Sequence, residues 1–69
     1  MERTPVTSST IASIGYDPNS MTLEVEFIKG GLYQYFEVPE VIYQEFMAAS
    51  SHGKYLHANL KGVYRYAKV

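Results

Sequence analysis

The sequence predicts an α+β domain: a three-stranded antiparallel β-meander followed by two helices packed on one face of the sheet. Three observations carry this. Apolar and polar side chains alternate from Met21 to Phe27, Gly30 and Gly31 supply a hairpin connection, and from Pro39 the apolar spacing becomes helical. With 69 residues there is room for one domain. Residues 1–8, polar and containing Pro5, are read as a flexible arm, and residues 9–69 as the domain.

The first strand is expected from Thr10 to Tyr16, where Ala12, Ile14 and Tyr16 alternate with Ser13 and Gly15. Asp17-Pro18-Asn19-Ser20 forms a turn, because proline presets φ and an aspartate can bond its own backbone two residues on. The second strand is the clearest: Leu23, Val25 and Phe27 point one way, and Thr22, Glu24 and Glu26 the other. This is the pattern of a sheet with one buried and one wet face. Leu32 to Val38 makes the third strand, with Leu32, Phe36 and Val38 on one side and Tyr33 and Tyr35 on the other. Apolar groups on both sides imply a central strand, a bulge, or a partner on the outer face.

Pro39 opens the first helix, where its missing N–H costs nothing, and Glu40 complements the helix dipole. Ile42, Tyr43, Phe46, Ala49 and Ser50 share the inward face. Ser50 to Gly53 breaks the helix. A second, from Lys54 to Lys61, is anchored by Leu56 and Leu60, with Gly62 past its end. Residues 63–69 are either a last short strand or a packed tail. The helices should cover the Leu23, Val25 and Phe27 face.

Composition narrows the function classes. Hydrophobic residues are 46% of the chain, a globular value. There are 7 tyrosines, 3 phenylalanines and no cysteine, so packing rather than disulfides must hold the fold. The first residues have no apolar signal-peptide core, and no run approaches the length of a membrane span, so a cytoplasmic chain with no membrane partner is expected. The net charge of −1 conceals a segregation. Residues 1–45 hold all seven acids with only Arg3 and Lys29, a net of −5; residues 46–69 hold Lys54, Lys61, Arg65 and Lys68 and no acid, a net of +4. Such asymmetry marks a polyanion-binding face, or simply opposite charges meeting across one small fold; four cations are few for the first.

Several segments together resemble a known family. They are Ser8-Ser9, Ile14-Gly15-Tyr16-Asp17, Leu23-Glu24-Val25-Glu26-Phe27, Gly31-Leu32-Tyr33-Gln34-Tyr35, Val38-Pro39, Ala49-Ser50-Ser51-His52-Gly53 and Asn59-Leu60-Lys61. In this order they resemble the KTSC domain, which occurs alone in bacteria and at the C-terminus of some lysyl-tRNA synthetases. The Tyr-x-Tyr followed by Val-Pro is its most specific element. The resemblance implies a small domain without an established function, for which RNA binding has been suggested from the synthetase fusion.

Catalytic chemistry finds little support. Serines, His52, His57 and Asp17 could be drawn as a triad, but there is no nucleophile elbow and little chain to enclose a substrate. Ser8 and Ser9 are read as turn or strand-edge residues. On one helix His52 and His57 would lie about 140° apart, off the i, i+4 spacing of a zinc pair. Each histidine is read as a solvated or capping residue. No enzyme activity, metal or cofactor is expected.

Binding chemistry is more suggestive. Ser51, Gly53 and Lys54 open a helix whose free N–H groups would attract an anion, although Ser51 can equally be a plain cap. Tyr33 and Tyr35 could stack on bases, or complete the core and pair across strands. Tyr64-Arg65-Tyr66 repeats the mixture of rings and positive charge, and Lys61 adds another cation. The expected nucleic-acid or anion site is therefore Tyr33, Tyr35, Ser51, Gly53, Lys54, Lys61, Tyr64, Arg65 and Tyr66. The expected function is a non-catalytic module binding RNA, as tRNA or a single strand, or another polyanion. The alternative is a module that binds another protein or itself.

Overall fold

A computed structural model describes residues 1–69. The chain is α+β, and its antiparallel sheet has five strands in sequential order. They are β1 (Arg3–Pro5), β2 (Ile11–Asp17), β3 (Thr22–Phe27), β4 (Gly31–Tyr35) and β5 (Tyr66–Lys68); helices α1 (Glu40–Ala48) and α2 (His52–Asn59) lie between β4 and β5. The expected three-strand meander is thus the centre of a wider sheet. β5 is the short last strand that residues 63–69 allowed, pairing Tyr66 with Tyr35 and Lys68 with Tyr33.

β1 arises within the segment expected to be a loose arm. Two features dock it. The Arg3 guanidinium reaches Ser13, 3.0 Å away, and pairs with Glu24 on the face away from the helices. Gly15 lets the arm approach: a Cβ there would lie 2.7 Å from the Glu2 carbonyl oxygen and 2.9 Å from Arg3 Cγ.

In β2 the register shifts between Ile11 and Ser13. The extra residue, Ala12, resets the alternation, so Ile11 and Ile14 both face the helices while Ser13 turns away. The Asp17 turn forms as its chemistry dictates, with Asp17 accepting from the Asn19 N–H at 3.0 Å and from the Ser20 hydroxyl at 2.9 Å. Gly31 opens β4 at φ +85°, a conformation that other residues rarely adopt.

Pro39 sits one position earlier than expected, as the N-cap of α1, where its carbonyl accepts from the N–H groups of Ile42 and Tyr43. Phe46 of α1 and Leu56 of α2 drive into the core, with Leu60 just past the end of α2. They meet Ile11, Ile14, Leu23, Val25, Tyr35 and Val38, so the helices do cover the Leu23 and Val25 face. Tyr16 closes the core's edge: its hydroxyl donates to the Val38 carbonyl and its ring stacks on Tyr43 at 4.8 Å.

The register of β3 against β4 settles the side of the tyrosine pair. Tyr35 lies opposite Leu23 and Tyr33 opposite Val25, so both rings point toward the helices. The rings that suggested an outer aromatic surface therefore belong to the covered face. No helix is long and apolar enough to cross a membrane.

Candidate binding cleft

The helices do not cover the sheet to its end. Beside Leu23 and Val25 the same face carries Phe27, Tyr33, Tyr35 and Tyr66, and an open cleft of about 1200 Å³ remains between these rings, the Thr7–Thr10 segment and the first turns of α2. Each wall follows from local chain chemistry. Ser8 folds the approach to β2, its hydroxyl oxygen accepting from the N–H groups of Thr10 at 3.1 Å and Ile11 at 3.2 Å. Ser51, in extended conformation, caps α2 by accepting from the Lys54 N–H at 3.3 Å. The first amides of α2 then keep no partner within the helix. Thr10 stands across from Gly53, its hydroxyl oxygen 3.5 Å from where a Cβ would lie, which is ordinary contact distance.

The rings descend from the mouth of the cleft to its floor. Tyr66, on the edge strand, is 60% exposed, Tyr33 is half-buried and Tyr35 is only 4% exposed. The Tyr66 ring centroid lies 5.8 Å from those of both Tyr33 and Tyr35, and Phe27 meets Tyr33 edge-on at 5.5 Å. Lys54 and Lys61 line the cleft, and the Lys68 ammonium lies 6.0 Å from the Tyr33 ring centroid. None of the 18 lining residues is a carboxylate. Burial, and then the neighbouring phenols of Tyr66 and Tyr33, raise the pKa of Tyr35, so it stays a neutral hydroxyl.

Seven of the nine expected site residues line this one cleft: Tyr33, Tyr35, Ser51, Gly53, Lys54, Lys61 and Tyr66. Tyr64 and Arg65 do not. They border a separate shallow hollow with Phe36, and Arg65 is engaged by Glu37 at 2.9 Å. Thr7, Ser9, Thr10 and both histidines line the cleft although their residue types and spacing did not point to it. The Thr7 to Thr10 hydroxyl run is visible in the sequence, but a short polar run before a strand looks like any linker.

His52 is more enclosed than a solvated residue. Its ring meets Phe46 edge-on at 6.0 Å, and its Nε2 lies 3.4 Å from the Met47 carbonyl oxygen, capping the end of α1. The enclosed Nδ1 has no hydrogen-bond partner. No group of three or more histidine, cysteine or acidic side chains is arranged to hold a metal ion.

Because the Ser51 side chain caps the N-terminus of α2, Ser51→Ala should cost about 1 kcal/mol. For a domain this small that is a fall of about 4–8 °C in melting temperature, read by circular dichroism.

The KTSC domain family model matches residues 7–69. An uncharacterized protein of Stutzerimonas stutzeri is 40% identical over 70 aligned positions, covering all of this chain and 99% of that protein. A lysine–tRNA ligase of Nostoc is 38% identical over 61 positions, which are 88% of this chain and 11% of the ligase. The crystal structure of a KTSC domain protein from Yersinia pestis superposes with a TM-score of 0.98 at 46% identity, covering 99% of this chain and 96% of that one.

Proposed function

The chain belongs to the KTSC domain family, and from that premise we propose that it is a non-catalytic RNA-binding module whose ligand lies in the cleft. One observation carries the reading: three tyrosine rings and two lysines line a single cleft that contains no carboxylate. Rings accept the π-faces of bases, and ammonium groups neutralise phosphates as the strand passes. The hydroxyl-rich wall and the free amides of α2 add neutral donors suited to phosphate oxygens. The presence of a related segment within lysine–tRNA ligases supports an RNA partner, though it forms only 11% of the Nostoc ligase. An RNA partner implies a cytoplasmic site of action.

The test is a titration of labelled tRNA and of an unstructured RNA strand at low salt. Affinity should fall as salt rises. Lys54→Ala with Lys61→Ala should flatten the log–log slope by about 1.4 for a single strand, since two phosphates would no longer be neutralised. No shift at high micromolar protein would remove the proposal. The alternative, a module for another protein or a second copy, draws on the short exposed edge strand β5. A concentration-dependent dimer by sedimentation, with no RNA shift, would favour it.

A further inference from the structure

We infer that the cleft, if the ligand is RNA as proposed above, receives an unpaired base, and that the Tyr35 hydroxyl reads it. Tyr35 is 4% exposed, yet none of the hydrogen bonds in the molecule involves its hydroxyl. A buried phenol normally finds a partner. The Tyr35 oxygen is not sealed in: the only buried side-chain atom wholly enclosed without a partner is His52 Nδ1. Tyr35 lines the cleft, so its hydroxyl meets solvent at the cleft floor. It is a donor and acceptor held on an interior strand, paired on both sides, and offered to whatever enters.

Depth decides what can reach it. A base within an A-form duplex is stacked above and below, and its pairing edge is occupied. The shallow minor groove presents only a rim, and phosphates keep the helix outside a cleft whose floor lies beneath Tyr66 and Tyr33. A single strand can turn one base inward at little cost, whereas a duplex would first have to break a pair and two stacks. Tyr66 at the mouth and Tyr33 halfway down offer ring faces along that path, with centroids 5.8 Å apart. Lys54 and Lys61 on the wall would hold the flanking phosphates.

The same geometry makes a sharp test possible. Since the Tyr35 hydroxyl serves nothing in the protein, Tyr35→Phe removes no internal bond. The variant should melt at the wild-type temperature, because the hydroxyl it removes bonds nothing in the protein and faces solvent. The measurement is fluorescence anisotropy with an unstructured RNA of about a dozen nucleotides and with the same strand annealed to its complement, at about 50 mM salt. Wild type should bind the single strand at least about 10-fold more tightly than the duplex, the cost of opening a pair. Tyr35→Phe should bind the single strand about 5- to 10-fold more weakly and leave the duplex value unchanged.

Equal affinity for the two RNAs, or an unchanged single-strand affinity in Tyr35→Phe, would overturn the inference and leave RNA binding standing. Loss of several degrees in Tyr35→Phe would also overturn it, by revealing an internal partner for the hydroxyl. Absence of binding to either RNA would overturn the inference together with the RNA reading.

Discussion

Phe46→Ala should leave little folded protein at room temperature. Phe46 is the largest fully buried side chain and the only buried residue of α1. Its ring stacks on Tyr55 of α2 at 5.5 Å and meets His52 edge-on, so it joins the two helices to each other as well as to the sheet. Removing a buried phenylalanine side chain costs about 3–5 kcal/mol in lost transfer energy and cavity formation. At about 0.05–0.15 kcal/mol per residue, a chain of 69 residues has about 3–10 kcal/mol to lose. With a urea dependence of about 1 kcal/mol per molar, the unfolding midpoint should fall by about 3–5 M. A fall of less than about 1 M would mean that α1 is not held by this ring. Phe46→Leu, which keeps most of the volume, should recover over half of the loss.

The same ring explains why the helical part of the fold is legible in the chain. Ile42, Tyr43 and Phe46 recur at helical spacing after a proline, and the spacing alone identifies the inward face. In the sheet, the alternation of Leu23, Val25 and Phe27 does the same work, and a turn as chemically explicit as Asp17 to Ser20 needs no tertiary help. What the sequence hides always depends on an interaction between segments distant along the chain. Three residues such as Arg3 to Pro5 show no period, so β1 depends on a glycine 12 positions ahead and a carboxylate 21 positions ahead. The bulge at Ala12 is invisible to a strict even–odd pattern. Tyr33 and Tyr35 can be assigned to one common side of their strand, but which side depends on the register with β3.

The candidate site is legible as residue types and not as a place. Tyr33, Tyr35, Lys54 and Lys61 stand out for their chemistry, and only the packing of the sheet, the Thr7–Thr10 segment and α2 makes a cleft in which they meet. Arg65 shows the limit of reading by residue type. Its neighbours in the chain are two tyrosines, yet across the strand end it faces Glu37. A cation already paired on an exposed surface contributes little to the field of a cleft.

Acid should destabilise the fold through the face that the helices leave open, and Arg3→Ala should do the same at neutral pH. Glu24 is 6% exposed on that face. It accepts from Gln34 Nε2 at 2.9 Å and from the Arg3 guanidinium, while Ser13, also bound by Arg3, donates to Glu26 at 2.8 Å. The Gln34 hydrogen bond first, and then the Arg3 bond and charge, hold the Glu24 carboxyl below its usual pKa of 4.5 against the opposing effect of burial. Folded Glu24 therefore binds protons more weakly than unfolded Glu24. Its stabilisation is complete above pH 4.5 and is lost as pH falls through the lower folded value. Glu24→Gln keeps the shape without the charge, so urea midpoints measured from pH 7 down to about pH 3 should slope less steeply than those of wild type. Arg3→Ala strands the carboxylate and undocks β1. A fully enclosed pair costs about 3–5 kcal/mol to break. With the Arg3 side chain 31% exposed, about 2 kcal/mol at pH 7 is the expected loss. None of the residues of this network lines the cleft, so Arg3→Ala should leave cleft binding intact. Parallel pH profiles for wild type and Glu24→Gln would show that the carboxylate carries no such linkage. An Arg3→Ala variant as stable as wild type would show that β1 rests on its backbone pairing with β2 alone.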